Sequence, residues 1–365
     1  MSSYHMIEYI HESPAALRRT LSENEAAVQS VVGQVRRDKL ERIVVVGIGS
    51  SYTAAMIAAP VFRYHCALPV HILPATELWH YNRRLVDERT LVVVVSRSGE
   101  RGWVVEALKD SIGRGAFGIA MTGVADSLLA QNARQVLLTQ EGPEITFPKT
   151  KSVTSCAGLL MRLALALSPP GDEEATGRLE ALLASPGGIK RVIDSLEPSI
   201  RELVPKIRDQ EPVVVIGTGS NYGVALEMAV KLQETACVAT QCDDTGNLLH
   251  GPLGAMTDRW LLISQVTAYD FAFNKQLLEV AGKFGARRLC IIEPGLELNG
   301  LTDEALTLPD RVDPLLAGLM YLPVLQMLTY YWALARDLNP DAPAAMRAIL
   351  DAILPEGREE PELRQ

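Results

Sequence analysis

A chain of 365 residues exceeds the roughly 100–200 typical of one domain, so two domains or one elaborated domain are expected. With 48% apolar and 22% charged residues, the composition excludes a disordered tail, a collagenous repeat and a disulfide-stapled miniprotein. Lys and Arg number 35 against 44 Asp and Glu, and the net charge of −9 leaves no diffuse positive field for nucleic acid or anionic lipid. An anionic small ligand would need a local device.

The N-terminus lacks an apolar signal core and an Arg-rich transit pattern, so a cytoplasmic protein is expected. Residues 5–37 read as a helical arm. Ile43-Val-Val-Val-Gly-Ile-Gly-Ser-Ser-Tyr52 then recurs as Val213-Val-Val-Ile-Gly-Thr-Gly-Ser-Asn-Tyr222, an offset of 170 that also carries the run at Leu91 onto Leu261 and Gly115-Ala116 onto Gly285-Ala286. Two copies of one α/β unit are therefore expected, each a mostly parallel sheet flanked by helices, a flavodoxin-like α/β/α sandwich. Strands are predicted near 42–47, 69–73, 90–96, 116–121 and 135–139, with helices near 51–66, 100–114, 124–132 and 152–167. The second copy predicts strands near 212–217, 237–241, 260–266, 288–293 and 305–308, and helices near 220–235, 269–284 and 314–336.

Between the copies, Pro169-Pro-Gly-Asp-Glu-Glu and Ser185-Pro-Gly-Gly mark a polar linker, and helical spacing resumes at Ile189. The expected division is an arm over 1–37, a first domain over 38–168, linker helices over 169–210, a second domain over 211–340 and a charged tail over 341–365. Leu315 to Ala335 runs 21 residues without a charge, but its place as a buried helix of the repeat, with Pro323, Gln326 and Thr329 inside it, argues against a membrane span. The five cysteines are odd in number, form no Cys-x-x-Cys pair and read as buried free thiols.

Three places could carry chemistry. Gly47-Ile-Gly-Ser-Ser-Tyr52 follows a strand and opens a helix, where backbone N–H groups and the hydroxyl of Ser50 or Ser51 could meet an anion. The third glycine and the later acidic residue of a dinucleotide fingerprint are missing, so no nucleotide cofactor is expected. Ser96-Arg-Ser-Gly-Glu100, at the C-terminal end of a strand, gathers hydroxyls and a guanidinium suited to a phosphate. The second copy has Ser264-Gln-Val-Thr-Ala-Tyr instead, so it supplies something else: Glu234 on the helix after Tyr222 and His250 in Gly246-Asn-Leu-Leu-His-Gly-Pro252, a carboxylate and imidazole able to move protons. No metal-ligand spacing and no ATP-binding phosphate loop occur, so neither a metal nor ATP is expected.

Gly49-Ser-Ser-Tyr52, Ala75-Thr-Glu-Leu78, Ser96-Arg-Ser-Gly-Glu100, Gly142-Pro-Glu-Ile145, Thr150-Lys-Ser152, Ala225-Leu-Glu-Met-Ala-Val-Lys-Leu-Gln-Glu234 and His250-Gly-Pro252 together resemble a doubled sugar-isomerase (SIS) family of phosphosugar isomerases and deaminases. The set is similar to the isomerase half of glucosamine-6-phosphate synthase. The resemblance implies that Ser51, Ser96, Arg97 and Ser98 surround a sugar phosphate, with Lys231 also on the substrate and Arg101 standing where the family has a phosphate-binding Thr. Glu234 matches the base that shuttles a proton between C1 and C2, and His250 the ring-opening residue that reaches in from a neighbouring subunit of a homodimer.

Three departures qualify this. No glutaminase domain precedes the repeat, so glutamine is not expected as a nitrogen source; Asn247 replaces a Glu; and Ala348 stands where the family has a Lys. The implied activity is isomerisation of a hexose 6-phosphate (fructose or glucosamine) or deamination of an amino-sugar phosphate, by enolisation. The alternatives are a deglycase of a phosphorylated sugar-amine adduct and a non-catalytic sugar-phosphate sensor, which the loss of the Lys favours.

Overall fold

The computed structural model describes residues 4–100, 102–344 and 346. The N-terminal arm is two helices, α1 (His5–Glu23) and α2 (Glu25–Arg37), broken at Asn24, whose side-chain amide donates to the Thr20 and Leu138 carbonyls. The first copy follows as β1 (Arg42–Gly47), α3 (Ser50–His65), β2 (Val70–Pro74), α4 (Ala75–Tyr81), β3 (Thr90–Val95), α5 (Gly102–Gly113), β4 (Phe117–Thr122), α6 (Leu128–Asn132), β5 (Gln135–Leu138) and α7 (Lys151–Ala166). After α8 (Glu173–Ile207), the second copy comprises β6 (Val213–Ile216), α9 (Ser220–Ala236), β7 (Thr240–Asp243), α10 (Thr245–Leu249), β8 (Leu261–Val266), α11 (Phe271–Lys283), β9 (Arg287–Ile292), β10 (Glu304–Thr307) and α12 (Gly318–Ala335).

Each copy builds a five-stranded parallel sheet of the same order, β2-β1-β3-β4-β5 in the first and β7-β6-β8-β9-β10 in the second. That 2-1-3-4-5 order is the flavodoxin-like one, which opens a ligand crevice at the C-terminal ends of the first and third strands. The central strands read as unbroken Val/Ile/Leu runs because both faces are covered. In the first sheet, Val44, Val46, Val92 and Val94 pack under α4, α5 and α6, and α3 covers the other face with α7 packed on α3. In the second, Val214, Ile216 and Leu262 lie under α10 and α11, with α9 and α12 packed together.

The chain divides into two compact units: residues 13–142 with 151–186, and residues 1–12 with 143–150 and 187–365. Ser185-Pro-Gly-Gly does not interrupt the chain as expected but lies inside α8, and the reason is local. Pro186 has no N–H for the Leu182 carbonyl one turn back, and the Ser185 hydroxyl donates to that carbonyl at 2.7 Å instead. The short helices α4 and α10 were not predicted.

Among the described residues no helix is long and apolar enough to cross a membrane. Within α12, the Gln326 amide donates to the Thr150 carbonyl (3.2 Å) and the Thr329 hydroxyl to the Leu325 carbonyl (2.9 Å), so its polar residues are satisfied by protein. All five cysteines are free; Cys156 and Cys290 are buried, Cys66 and Cys242 half-buried, and Cys237, contrary to expectation, is exposed at the left-handed C-cap of α9.

Candidate functional site

The first glycine of each Gly-x-Gly turn is needed for space: a Cβ on Gly47 would come within 2.8 Å of the backbone of the following helix, and Gly217 is tighter still. The second is needed for conformation, with Gly49 at φ 55° and Gly219 at φ 56°. Ser50 and Ser51 occupy the first turn of α3, both half-buried, beside the positive end of the helix. Facing the same end of the first sheet, the loop after β3 is held on all sides. The Ser96 amide donates to Met121 O (3.0 Å), the Gly99 amide to Ser96 Oγ (3.2 Å), and the Gly123 amide and Thr122 hydroxyl to Arg97 O (2.9 and 3.1 Å). Because Ser96 Oγ accepts there, its own proton is directed elsewhere. Gly99 has φ 67°, and a Cβ on it would run into Ser127.

Arg97 is held by an ion pair. Its Nε lies 3.3 Å from Glu141 Oε1, with the two side chains only 11% and 1% exposed, so the pair fixes the loop from beneath. Glu141 approaches so closely that any side chain on Gly123 would collide with its carboxylate. Sequence reasoning missed Glu141, which carries no local motif. Arg101 and Ala348 lie outside the described residues.

On α9, Glu227, Lys231 and Glu234 share one face. The Lys231 ammonium stands 3.1 Å from Glu227 Oε1 and 2.5 Å from Glu234 Oε1, and its side chain is 2% exposed. It is thus a buried cation held between two carboxylates. Burial works against the ammonium, but the charges of Glu227 and Glu234 outweigh it and hold Lys231 above the usual lysine range. Burial also raises the Glu234 pKa, and the Lys231 charge and hydrogen bond recover only part of that rise. Glu234 keeps 14% of its side-chain surface open against 1% for Glu227, which makes Glu234 the carboxylate a ligand can reach. Lys149, whose ammonium donates to the Glu144 and Thr146 carbonyls, adds a weaker favourable field to Glu234. The i, i+4 and i, i+3 spacing of Glu227, Lys231 and Glu234 was a legible signal for this cluster.

His250 sits at the C-cap of α10, exposed, with its amide on Asn247 O (3.0 Å). Asp244 caps the other end, accepting from the Gly246 and Asn247 amides at 2.8 and 3.1 Å, so the short helix presents His250 from a fixed turn. Among the described residues no group of three or more His, Cys, Asp or Glu is arranged to hold a metal ion.

The SIS domain model matches residues 38–167 and 206–336, one copy each. The chain belongs to the SIS-domain family. An isomerizing glutamine–fructose-6-phosphate aminotransferase of Caldanaerobacter subterraneus subsp. tengcongensis is 29% identical over 351 residues, covering 93% of this SIS chain and 57% of the relative. The chain thus spans little more than half the length of the curated relatives it matches. Among solved structures, the C-terminal domain of glucosamine-fructose-6-phosphate aminotransferase from Francisella tularensis superposes with a TM-score of 0.84 at 22% identity, covering 94% of this chain and 99% of that one. Tagatose-6-phosphate ketose/aldose isomerase from Escherichia coli gives 0.80 at 20% identity, covering 97% of each. At those identities the structures attest the tandem SIS fold.

Proposed function

We propose that this SIS protein is an enzyme that enolises a hexose 6-phosphate, as an aldose–ketose isomerase or as a deaminase of an amino-sugar phosphate. The observation that carries the reading is Glu234, a half-buried carboxylate open enough for a ligand to reach, raised in pKa and steadied by a buried lysine. Those are the properties of a base that must take a proton from carbon and return it. The names of the relatives, an isomerizing aminotransferase of fructose 6-phosphate and a ketose/aldose isomerase, support the same substrate class.

In this reading Ser50, Ser51, Ser96 and Ser98 donate to the phosphate, and Arg97 braces the loop through Glu141. His250 opens the sugar ring from a second copy of the chain, a role its exposure supports. The Glu234 carboxylate takes the proton from C2 of the open-chain aldose; the C–H electron pair forms the C1=C2 bond, and the carbonyl oxygen gains a proton. Returning the first proton to C1 while O2 loses its own gives the ketose. Lys231 supplies the compensating charge beside the carboxylate.

Enolisation needs no imine, so Ala348 does not remove it; the same replacement favours, as second reading, a sensor that binds the sugar phosphate without turnover. We further propose that the chain works without glutamine. Burial pushes the Cys66 and Cys290 thiols up to about 12 and raises Cys242, so none of these three is an activated thiolate. The test is to incubate the purified chain with fructose 6-phosphate, with glucosamine 6-phosphate, and with fructose 6-phosphate plus glutamine, assaying isomer and ammonia. Product from either sugar phosphate alone, lost in Glu234→Gln, is expected. Binding without product leaves the sensor, and product only with glutamine contradicts glutamine independence.

A further inference from the structure

The two copies have matching Gly-x-Gly turns, Gly49 at φ 55°, ψ −131° and Gly219 at φ 56°, ψ −125°, each opening a helix, of 16 and 17 residues. Their second loops diverge. At the 170-residue offset, Ser96-Arg-Ser-Gly-Glu100 becomes Val266-Thr-Ala-Tyr-Asp270, so both serine hydroxyls are gone and Asp270 replaces Glu100. Glu100 is exposed and accepts the Leu128 amide at 3.1 Å. Asp270 is 6% exposed. Its Oδ1 accepts from the Thr267 amide and hydroxyl, both at 2.8 Å, and its Oδ2 accepts from the hydroxyl of Thr218, the middle residue of the Gly-x-Gly turn. One carboxylate thereby ties together the two loops that bracket this crevice.

We propose that the crevice of the second copy is an oxyanion site occupied by the chain's own Asp270, so that each chain takes a single phosphate, on its first copy. The side chain acts as a tethered anion: it uses the donors an incoming phosphate would need, and its charge repels one. Glu293, 3% exposed and accepting from the Ala268 amide at 3.4 Å, adds a second carboxylate beside it. Removing the tether should reopen the site, most fully when Glu293 is neutralised as well. The inference rests on the reading that the Ser96–Ser98 loop is the working phosphate site.

The experiment compares the full-length chain carrying Ser98→Ala, Ser98→Ala with Asp270→Gly, and both with Glu293→Gln, each melted in inorganic phosphate and in chloride at equal ionic strength. Ser98→Ala should gain less from phosphate over chloride than the unaltered chain does. The chain with Asp270→Gly should melt lower in chloride and recover in phosphate, and Glu293→Gln should lower by at least tenfold the phosphate concentration required. Parallel titration calorimetry of Asp270→Gly in the otherwise unaltered chain should count two phosphates instead of one. A variant that folds only in phosphate supports the inference as well. If Asp270→Gly gains no phosphate response over its parent, or is unfolded in both salts, the inference is overturned. If Ser98→Ala still binds phosphate as the unaltered chain does, the first-copy assignment fails, and the response added by Asp270→Gly still decides the second-copy site.

Discussion

Lys231 sets how Glu234 behaves, because the ammonium lies 2.5 Å from the carboxylate inside a region where burial disfavours any charge. A base works ionised, and the pKa of Glu234 is raised, so kcat/KM should fall with decreasing pH from a higher pH than for an ordinary glutamate. Lys231→Met removes the charge that favours the carboxylate, so the acid limb should move to still higher pH. Two carboxylates left without their cation should also cost about 3–5 kcal/mol of stability, read by urea unfolding. An acid limb that stays in place would separate Lys231 from the base. If the Ser96–Ser98 loop holds the phosphate as proposed, Ser98→Ala should weaken sugar-phosphate binding by about 1–3 kcal/mol, measured by calorimetry, since an anionic acceptor loses a donor. The sequence points to Glu234 and Ser96–Ser98 because each lies in a recognisable run. It is silent on Glu141, which reaches Arg97 from 44 positions away in the chain with no shared motif.

Among the elements, the strands were readable because residues covered on both faces must be apolar throughout, as Val44 to Val46 and Val92 to Val95 are. The helices α4 and α10, of seven and five residues, are too short for a 3.6-residue period to emerge. Helix α8 was misread at Ser185-Pro-Gly-Gly because a propensity rule sees the missing N–H of Pro186 but not the hydroxyl that replaces it. Ser185→Ala should therefore destabilise the protein by about 1–3 kcal/mol by leaving the Leu182 carbonyl unsatisfied in a buried turn. Equilibrium unfolding checks this; an unchanged midpoint would mean that the backbone adjusts without the hydroxyl.

At the scale of the whole molecule, the 170-residue repeat accounts for two sheets of identical strand order, while the loops after β3 and β8 differ in sequence. If His250 completes the site of a second copy, Glu234→Gln and His250→Ala chains should each be nearly inactive alone. After random subunit exchange, half the dimers are mixed and each holds one intact site, so activity should return to about a quarter of the unaltered protein by the symmetry count. Demonstrated exchange without recovery would remove the shared site from the account. The central claim, that this chain moves a carbon-bound proton of a hexose 6-phosphate through Glu234, is tested most directly in deuterated water. Proton NMR should show deuterium entering C1 of fructose 6-phosphate with the unaltered chain, and exchange slower by a factor of roughly 10²–10⁴ with Glu234→Gln. Saturating binding of fructose 6-phosphate with no exchange, or equal exchange by both chains, would contradict it.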